Sequence, residues 1–386
     1  MERDALFILS RGGTNRLILA QGSAEKKGKS RVFALRTWNV PRSIVVGMKI
    51  AFFDTHRFER EPFQTANAKH GHSITFLEPR LTAATASLAR GYPAVCAFVN
   101  DKVDRETQTI LKEGGTRLIA LRSAGFNHVD LAAADALGLD VVRVPEYSPY
   151  AVAEHAVCLL LALNRKIHRA YSRVRELNFS LDGLVGFDLH GKTVGLIGTG
   201  KIGTVMARIL HGFGCRLLLF DRQPQQDLAR ELGARYVDLP TLYRESDVIS
   251  LHVPLTPETR YLINEKALNA MKPGVILLNT GRGALVETRA LIAKLKTGHV
   301  GGAGLDVYEE EESIFFQNLS DSGLQDDVLA RLLTFPNVLI TAHQAFLTHE
   351  ALGNIASTTL ESITAFERGE PLRHRVSVER ISGPKP

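Results

Sequence analysis

The segment Lys192-Thr-Val-Gly-Leu-Ile-Gly198-Thr-Gly200-Lys201-Ile202-Gly203 restricts the possible fold more than any other part of the chain. A short apolar run enters a Gly-x-Gly-x-x-Gly turn and leaves as a helical pattern over 202–212, and Asp221 closes the next apolar run eighteen residues after Gly203. In a strand-turn-helix unit each glycine has its own task. Gly198 permits the tight turn, Gly200 lets backbone reach a pyrophosphate, and Gly203 lets the helix approach the sheet. The helix N-terminus, opened by Lys201 and Ile202, then faces the anionic phosphates. The implied cofactor is a dinucleotide. Asp221 is placed to accept from ribose hydroxyls and to repel a 2′-phosphate, which favours NAD over NADP; Arg222 beside it softens that preference.

From residue 48 onward, short apolar runs alternate with helical patterns, as expected of parallel sheets covered by helices. Strands are predicted over 49–53, 73–77, 94–99, 117–121 and 140–144. A strongly apolar helix follows over 148–165, with Ser148 as cap and Pro149 in its first turn, and reads as a buried connector. A second series, 192–197, 215–220, 234–237, 247–251, 275–279, 300–305 and 338–341, completes a doubly wound sheet. The last helical pattern, 349–368, carries Leu352, Ile355, Ala356, Thr359, Leu360, Ile363 and Phe366 on one stripe. No strand follows to partner it, so the chain is expected to return to its first domain. The expected fold class is α/β, with two Rossmann-like or flavodoxin-like doubly wound parallel-sheet domains. The substrate domain is discontinuous, 48–147 and 344–378, around a cofactor domain at 148–343, with a tail at 379–386.

Charge excludes one class of partner. Residues 1–47 hold nine Lys/Arg against three acids, which accounts for the whole formal charge of +6. The body is neutral, whereas a nucleic-acid-binding fold would carry the basic excess itself. The basic extension lacks clear periodicity. Its longest apolar run, Ala5-Leu6-Phe7-Ile8-Leu9, is shorter than a secretory signal needs. It reads as unstructured or as a mis-start upstream of Met48, although an organelle transit peptide is the other reading. No apolar run is long enough to span a membrane. Cys96, Cys158 and Cys215 are far apart, with neither metal-ligand nor disulfide-scaffold spacing, so no metal is expected and a reducing cytoplasm fits.

Three further segments end strands with groups suited to a keto acid. Reducing such a substrate requires a fixed cation for its carboxylate, an acid for its carbonyl oxygen, and a partner that holds that acid in its working state. Arg282 lies between glycines in Asn279-Thr280-Gly281-Arg282-Gly283 and can grip a carboxylate through a bidentate fork. His343 follows the last strand in Thr341-Ala342-His343-Gln344. Leu305-Asp306-Val307-Tyr308 runs into four acids, Glu309 to Glu312. Alone, each has a blander reading: a solvated arginine, a structural histidine, a solvated acidic face. Their joint placement after the nucleotide fingerprint is what points to chemistry.

Together these motifs resemble the D-isomer-specific 2-hydroxyacid dehydrogenases over about residues 49–376. The carriers are Gly198-x-Gly200-x-x-Gly203, Asn279–Gly283, Leu305-Asp306-Val307-Tyr308-x-x-Glu311 and Thr341-Ala342-His343-Gln344-Ala345-Phe346-Leu347-Thr348. The resemblance implies Arg282 as the catalytic arginine, Glu311 as the acid, and His343 as proton donor, with the carboxylate keeping the imidazole protonated until it donates. It implies cofactor contacts from Val253, Pro254, Thr259, Thr280, Gly281 and Asp306. Backbone amides of Ala124 and Gly125 would bind the substrate carboxylate, and Tyr147 and Phe346 would wall the pocket. Domain closure about hinges near Tyr147 and Gln344 would exclude water. A homodimer or homotetramer is also implied. The segments Tyr308–Phe316 and Gln325–Leu333 resemble the D-lactate branch, so pyruvate is the expected substrate. Ser123-Ala124, where many relatives carry Asn-Val, leaves a bulkier keto acid such as phenylpyruvate or a branched one open. A reading from another class is a non-enzymatic NADH-sensing binding protein. Against it stand the three catalytic candidates and the lack of a docking motif in 1–47.

Overall fold

The computed structural model describes residues 47–378, together with the backbone of three strands in the extension: Ala5–Arg11 (β1), Thr14–Ala20 (β2) and Arg36–Trp38 (β3). These three pair antiparallel in the order β1-β2-β3, with Arg11 opposite Thr14. That corrects the expectation of a stretch without regular structure. The apolar run at Ala5–Leu9, too short for a signal peptide, has strand length, and Gly12-Gly13 lies between two strands in register. The expected tail, 379–386, lies outside the described residues.

The first lobe holds Lys49–Phe52 (β4), Ser73–Phe76 (β5), Ala94–Ala97 (β6), Leu118–Leu121 (β7) and Asp140–Val142 (β8), all parallel, in the order β5-β4-β6-β7-β8. Helices Arg57–Asn67 (α1), Arg105–Glu113 (α2) and Leu131–Leu137 (α3) cover it. Central strands β6 and β7 are buried at every position, as strands between two helical layers must be.

The crossing to the second lobe is made by Pro149–Asn164 (α4). The Ser148 hydroxyl accepts from the Ala151 amide at 3.1 Å, and Pro149 occupies the first turn, where its missing N–H is no loss. Most of this helix is buried among neighbours, and only a narrow stripe at Tyr150, Glu154 and Cys158 reaches solvent. The helix packs closely on Gly304, where an added Cβ would stand 3.1 Å from the Leu159 Cβ. Ile167–Arg175 (α5), which sequence periodicity missed, follows it with no buried residue.

The second lobe has seven parallel strands: Thr193–Ile197 (β9), Arg216–Phe220 (β10), Arg235–Tyr236 (β11), Val248–Leu251 (β12), Val275–Asn279 (β13), Val300–Leu305 (β14) and Val338–Ile340 (β15). Their order is β11-β10-β9-β12-β13-β14-β15. Strand order reverses between β9 and β12, and ligands of open α/β sheets bind at such a switch, beyond the carboxyl ends of the strands. Helices Lys201–Gly212 (α6), Gln226–Leu232 (α7), Leu239–Glu245 (α8), Glu265–Ala270 (α9), Thr288–Lys296 (α10) and Asp327–Leu333 (α11) complete the layers. The final helix, His349–Glu367 (α12), returns to the first lobe. Ile355, Ala356, Leu360 and Ile363 share one core with Ile50, Phe52, Phe63 and Leu118. The first lobe is therefore discontinuous. Its end is fastened by an antiparallel bridge from Arg375 to Val142.

Candidate active site

The Gly-rich turn has the form its sequence demands. Gly198 has φ +100°, a region closed to most side chains, and a Cβ there would meet the His252 carbonyl oxygen at 2.5 Å. At Gly203 a Cβ would stand 2.0 Å from the Gly198 carbonyl oxygen, so α6 could not sit this close to the turn. A Cβ on Gly200 would meet nothing within 4 Å, leaving open space in front of the α6 N-terminus. Asp221 is already tied locally. One oxygen accepts from the Thr199 amide at 2.6 Å and its hydroxyl at 3.1 Å, the other from the Gln223 amide at 2.9 Å. The oxygen facing Gln223 has a second lone pair left for a ribose hydroxyl. Lys201, by contrast, reaches across the cleft mouth to the Glu146 carboxylate.

Between the lobes lies a cleft of about 570 Å³. Ala124, Gly125 and Tyr147 line it from the first lobe, Ile202, Val253, Pro254, Thr280, Gly281, Arg282, Asp306 and His343 from the second, and Phe346 from the return segment. Residues separated by more than two hundred positions thus line one cleft. Thr280 lines this cleft, and its hydroxyl is buried without a hydrogen-bond partner.

His343 and Glu311 form a dyad: the imidazole Nδ1 lies 2.7 Å from Oε1 of Glu311. The other carboxylate oxygen accepts from the Tyr308 amide at 2.9 Å, which fixes the carboxyl plane. With Nδ1 engaged, Nε2 is the nitrogen left to act on a substrate. The backbone of His343 is itself constrained, with φ +55°, and its amide donates to the carbonyls of Asp306 and Thr341, each at 2.7 Å. A non-glycine residue is held in this region only when its surroundings insist, and here two acceptors do. Arg282 is braced by a bond from Nη1 to its neighbour's carbonyl, Gly281, at 2.7 Å. Its Nη2 lies where a Cβ on Gly125 would be, 2.0 Å away, so the guanidinium rests on bare backbone of the opposite lobe. The Gly125 turn is held by the Ser123 hydroxyl on the Gly125 carbonyl and by Arg143 on the Ala124 carbonyl, both at 2.7 Å.

Two expected cofactor contacts have other work. Thr259 is not on the cleft surface: its hydroxyl donates to the Pro254 carbonyl at 2.7 Å and closes the turn that shapes Val253 and Pro254, while Thr256 faces the cleft instead. Asp306 lines the cleft, yet its carboxylate accepts from the Thr341 hydroxyl (2.7 Å), the Gln344 amide (2.8 Å) and the Ala345 amide (2.9 Å). Burial acts to raise the Asp306 pKa, but donors from His155, Thr341 and Ala345 overcome it and hold the carboxyl below the usual range. It is an ionised anchor for the loop that carries His343.

Other contributors escaped the sequence reading. Arg122, fully buried, bonds Glu59 at 2.6 Å and the carbonyls of Phe53 and Asp54 at 2.8 and 2.7 Å, and stacks between Phe52 and Phe98. It fixes the start of the Ser123–Gly125 turn. Its only signal was an arginine closing an apolar strand, as Arg282 does. His155 on α4 bonds the Thr341 hydroxyl at 2.9 Å. His252 and His128 sit beside the cleft as neutral rings. Burial pulls both down to about 4, and for His128 the Arg282 and Arg122 cations add to it. Among the described residues no group of metal-ligating side chains is found, and no helix is long and apolar enough to cross a membrane.

Comparison with known proteins agrees with this geometry. Residues 157–345 match the family described as D-isomer specific 2-hydroxyacid dehydrogenase, NAD binding domain. The D-lactate dehydrogenase of Escherichia coli is 54% identical over 323 residues, covering 84% of this chain and 98% of the relative. The apo structure of D-lactate dehydrogenase from Escherichia coli superposes with a TM-score of 0.79 at 52% identity, over 85% of this chain and 100% of that one. A D-lactate dehydrogenase from Aquifex aeolicus complexed with NAD and lactic acid superposes with a TM-score of 0.74 at 35% identity, over 83% of this chain and 96% of that one. With likeness of this extent in sequence and fold, and with the phosphate turn, the arginine and the His-Glu dyad around one cleft, the chain belongs to the NAD-dependent D-isomer-specific 2-hydroxyacid dehydrogenases.

Proposed function

We propose that this chain reduces pyruvate to D-lactate, with NADH as the hydride source. The observation that carries the reading is the His343–Glu311 contact at 2.7 Å beside Arg282 in the interlobe cleft, together with the D-lactate dehydrogenase identity of its relatives. The Gly198–Gly203 turn would hold the pyrophosphate, and Asp221 the adenosine ribose. Thr280, Gly281, Val253 and Pro254 would face the nicotinamide half, and the partnerless Thr280 hydroxyl and the open space at Gly200 fit such a group. NADH supplies the hydride to the keto carbon.

The protein supplies the rest. Arg282 and the Ala124–Gly125 turn grip the substrate carboxylate, which leaves the keto oxygen to His343 Nε2. As negative charge develops on that oxygen, His343 gives up its proton, and Glu311 holds the ring in place throughout. In lactate oxidation the same ring takes the proton back. Tyr147 and Phe346 narrow the space for the substrate side chain. The substrate lobe is read as 48–147 with 344–378, and the cofactor lobe as 148–343.

His343→Gln is expected to lower turnover by about 10³-fold or more while leaving NADH binding measurable, by analogy with the loss of a proton-transfer group. Full turnover in this variant would refute the assignment. NADH oxidation across a panel of keto acids, with chiral analysis of the product, tests the substrate. A preference for phenylpyruvate or a branched acid would shift the reading to the bulkier class. Two further readings accompany it. A homo-oligomer is supported by Ile167, Tyr171, Leu177, Phe179, Leu181 and Val185, each more than half exposed on one stretch of chain, where a second copy would cover them. A cytoplasmic location is supported by three free cysteines.

A further inference from the structure

Glu311 opens a short turn, Glu311–Ser313, which the second lobe holds through the Tyr308 amide on Glu311 and the packing of Phe315 against Tyr308 and Leu329. The Glu311 carbonyl accepts from the amides of Ile314 and Phe315 at 3.0 and 2.9 Å, so the turn is one rigid piece. Phe316 follows with φ +64° and packs its ring 5.9 Å from His343 on one side and 5.0 Å from Phe98 of the first lobe on the other. The turn is gripped from across the cleft. Arg80 of the first lobe donates from Nη1 to the Glu312 carbonyl at 2.6 Å and from Nη2 to the Phe315 carbonyl at 3.2 Å.

Arg80 has a firm base. Its Nε lies 3.7 Å from Asp54, itself 3.5 Å from the His56 ring. Its carbonyl accepts the Thr85 hydroxyl at 2.5 Å, and the next amide, Leu81, donates to Asp101 at 2.7 Å. Asp101 also accepts the Phe98 amide at 2.6 Å, which ties the Arg80 loop to the loop bearing Phe98. One guanidinium fork thus spans two carbonyls, Glu312 within the turn and Phe315 just after it, a geometry open to Arg and closed to Lys.

We propose that Arg80 is a positioning residue for the reaction: by clasping the Glu312 and Phe315 carbonyls from the opposite lobe, it sets the Glu311 carboxylate against His343 only when the lobes are together. The proposal rests on the roles given above to Glu311 and His343. Proton donation is thereby coupled to the closed arrangement, in which the Arg282 guanidinium also meets Gly125.

The test is a double-mutant cycle on the full chain, with kcat and the KM for NADH and for pyruvate measured separately. Arg80→Leu is expected to lower kcat about tenfold with the NADH KM changed less than about twofold, because a dyad misplaced by a fraction of an ångström loses rate and not cofactor affinity. In a Glu311→Gln background the same substitution is expected to cost less than about twofold, since a residue acting through Glu311 has nothing left to position. Equal losses in both backgrounds, or no loss in the wild-type background, would overturn the proposal. Arg80→Lys keeps the charge beside Asp54, so folding is preserved, and should show the same non-additive loss at reduced size; additive losses there would overturn it as well. Full turnover in Glu311→Gln alone would instead remove the dyad reading on which this rests, so the two failures are distinguishable.

Discussion

Two glycines separate substrate from cofactor at the level of single residues. A Cβ on Gly125 would lie 2.0 Å from Nη2 of Arg282 and would drive the guanidinium off the carboxylate position. Gly125→Ala is therefore expected to raise the pyruvate KM by about tenfold or more, the loss of a charge-assisted bidentate contact, with NADH binding intact. Gly203→Ala should do the reverse, because its Cβ meets the Gly198 carbonyl oxygen at 2.0 Å and spreads the phosphate turn. Separate KM measurements for the two ligands check both, and a shared loss in either variant would contradict the division. At this scale the sequence was informative where a role has local cause. The glycine fingerprint, Arg282 and His343 each follow a strand, and their chemistry can be read from neighbours. Arg80 and Asp306 were harder. Arg80 works on carbonyls 232 and 235 positions away, and Asp306 on donors at 341, 344 and 345, so no local pattern records them.

Among elements, α4 sits close against β14. Gly304 on β14 has Leu278 Cδ2 at 2.9 Å and Leu159 Cβ and Leu163 Cδ1 at 3.1 Å from the place of a missing Cβ. Gly304→Ala should push α4 off the sheet and destabilise the fold by about 1–3 kcal/mol, as overpacking of a dense core does. Thermal or denaturant melting checks this; an unchanged midpoint would mean that α4 yields freely. The parallel strands were legible because strands buried on both faces leave short unbroken apolar runs bounded by turns, spaced by helical patterns. Elements without a buried face were not. Helix α5 buries no residue, so its short stripe of Ile167, Tyr171 and Val174 stands among charged side chains without a core behind it, and β11 has only two residues. The three-stranded sheet of the extension left little trace in sequence, because the run Ala5–Leu9 shows no alternation and β3 has only three residues.

Taken whole, the molecule stores uncharged imidazoles at the junction of its lobes, and this sets an acid limit. His128 and His252 have folded pKa values near 4 against an ordinary 6.5, because burial disfavours the imidazolium. Between these values the unfolded chain binds more protons than the folded one. Stability from both rings is complete above about pH 6.5 and is lost as pH falls from there to about 4. Denaturant melts across that range should show the decline, and His128→Asn should make it shallower; an unchanged slope would exclude His128 as a contributor. This behaviour was not readable from sequence, since burial of a histidine depends on what the fold brings over it. The discontinuity of the first lobe was readable, from a helix left without strands.

That nested path has a structural corollary at its seam. Chain enters the inner lobe along α4 and leaves it at Thr341, and the His155–Thr341 bond at 2.9 Å joins these two crossings. On the outer side, Asn354 of α12 bonds the Tyr147 carbonyl at 2.7 Å. Start and finish of the inner lobe therefore lie side by side, as the ends of an inlay do. Such a piece can be lifted out and replaced by another of the same kind without re-routing the surrounding chain, so exchange of whole nucleotide-binding inlays between relatives is geometrically open to this architecture.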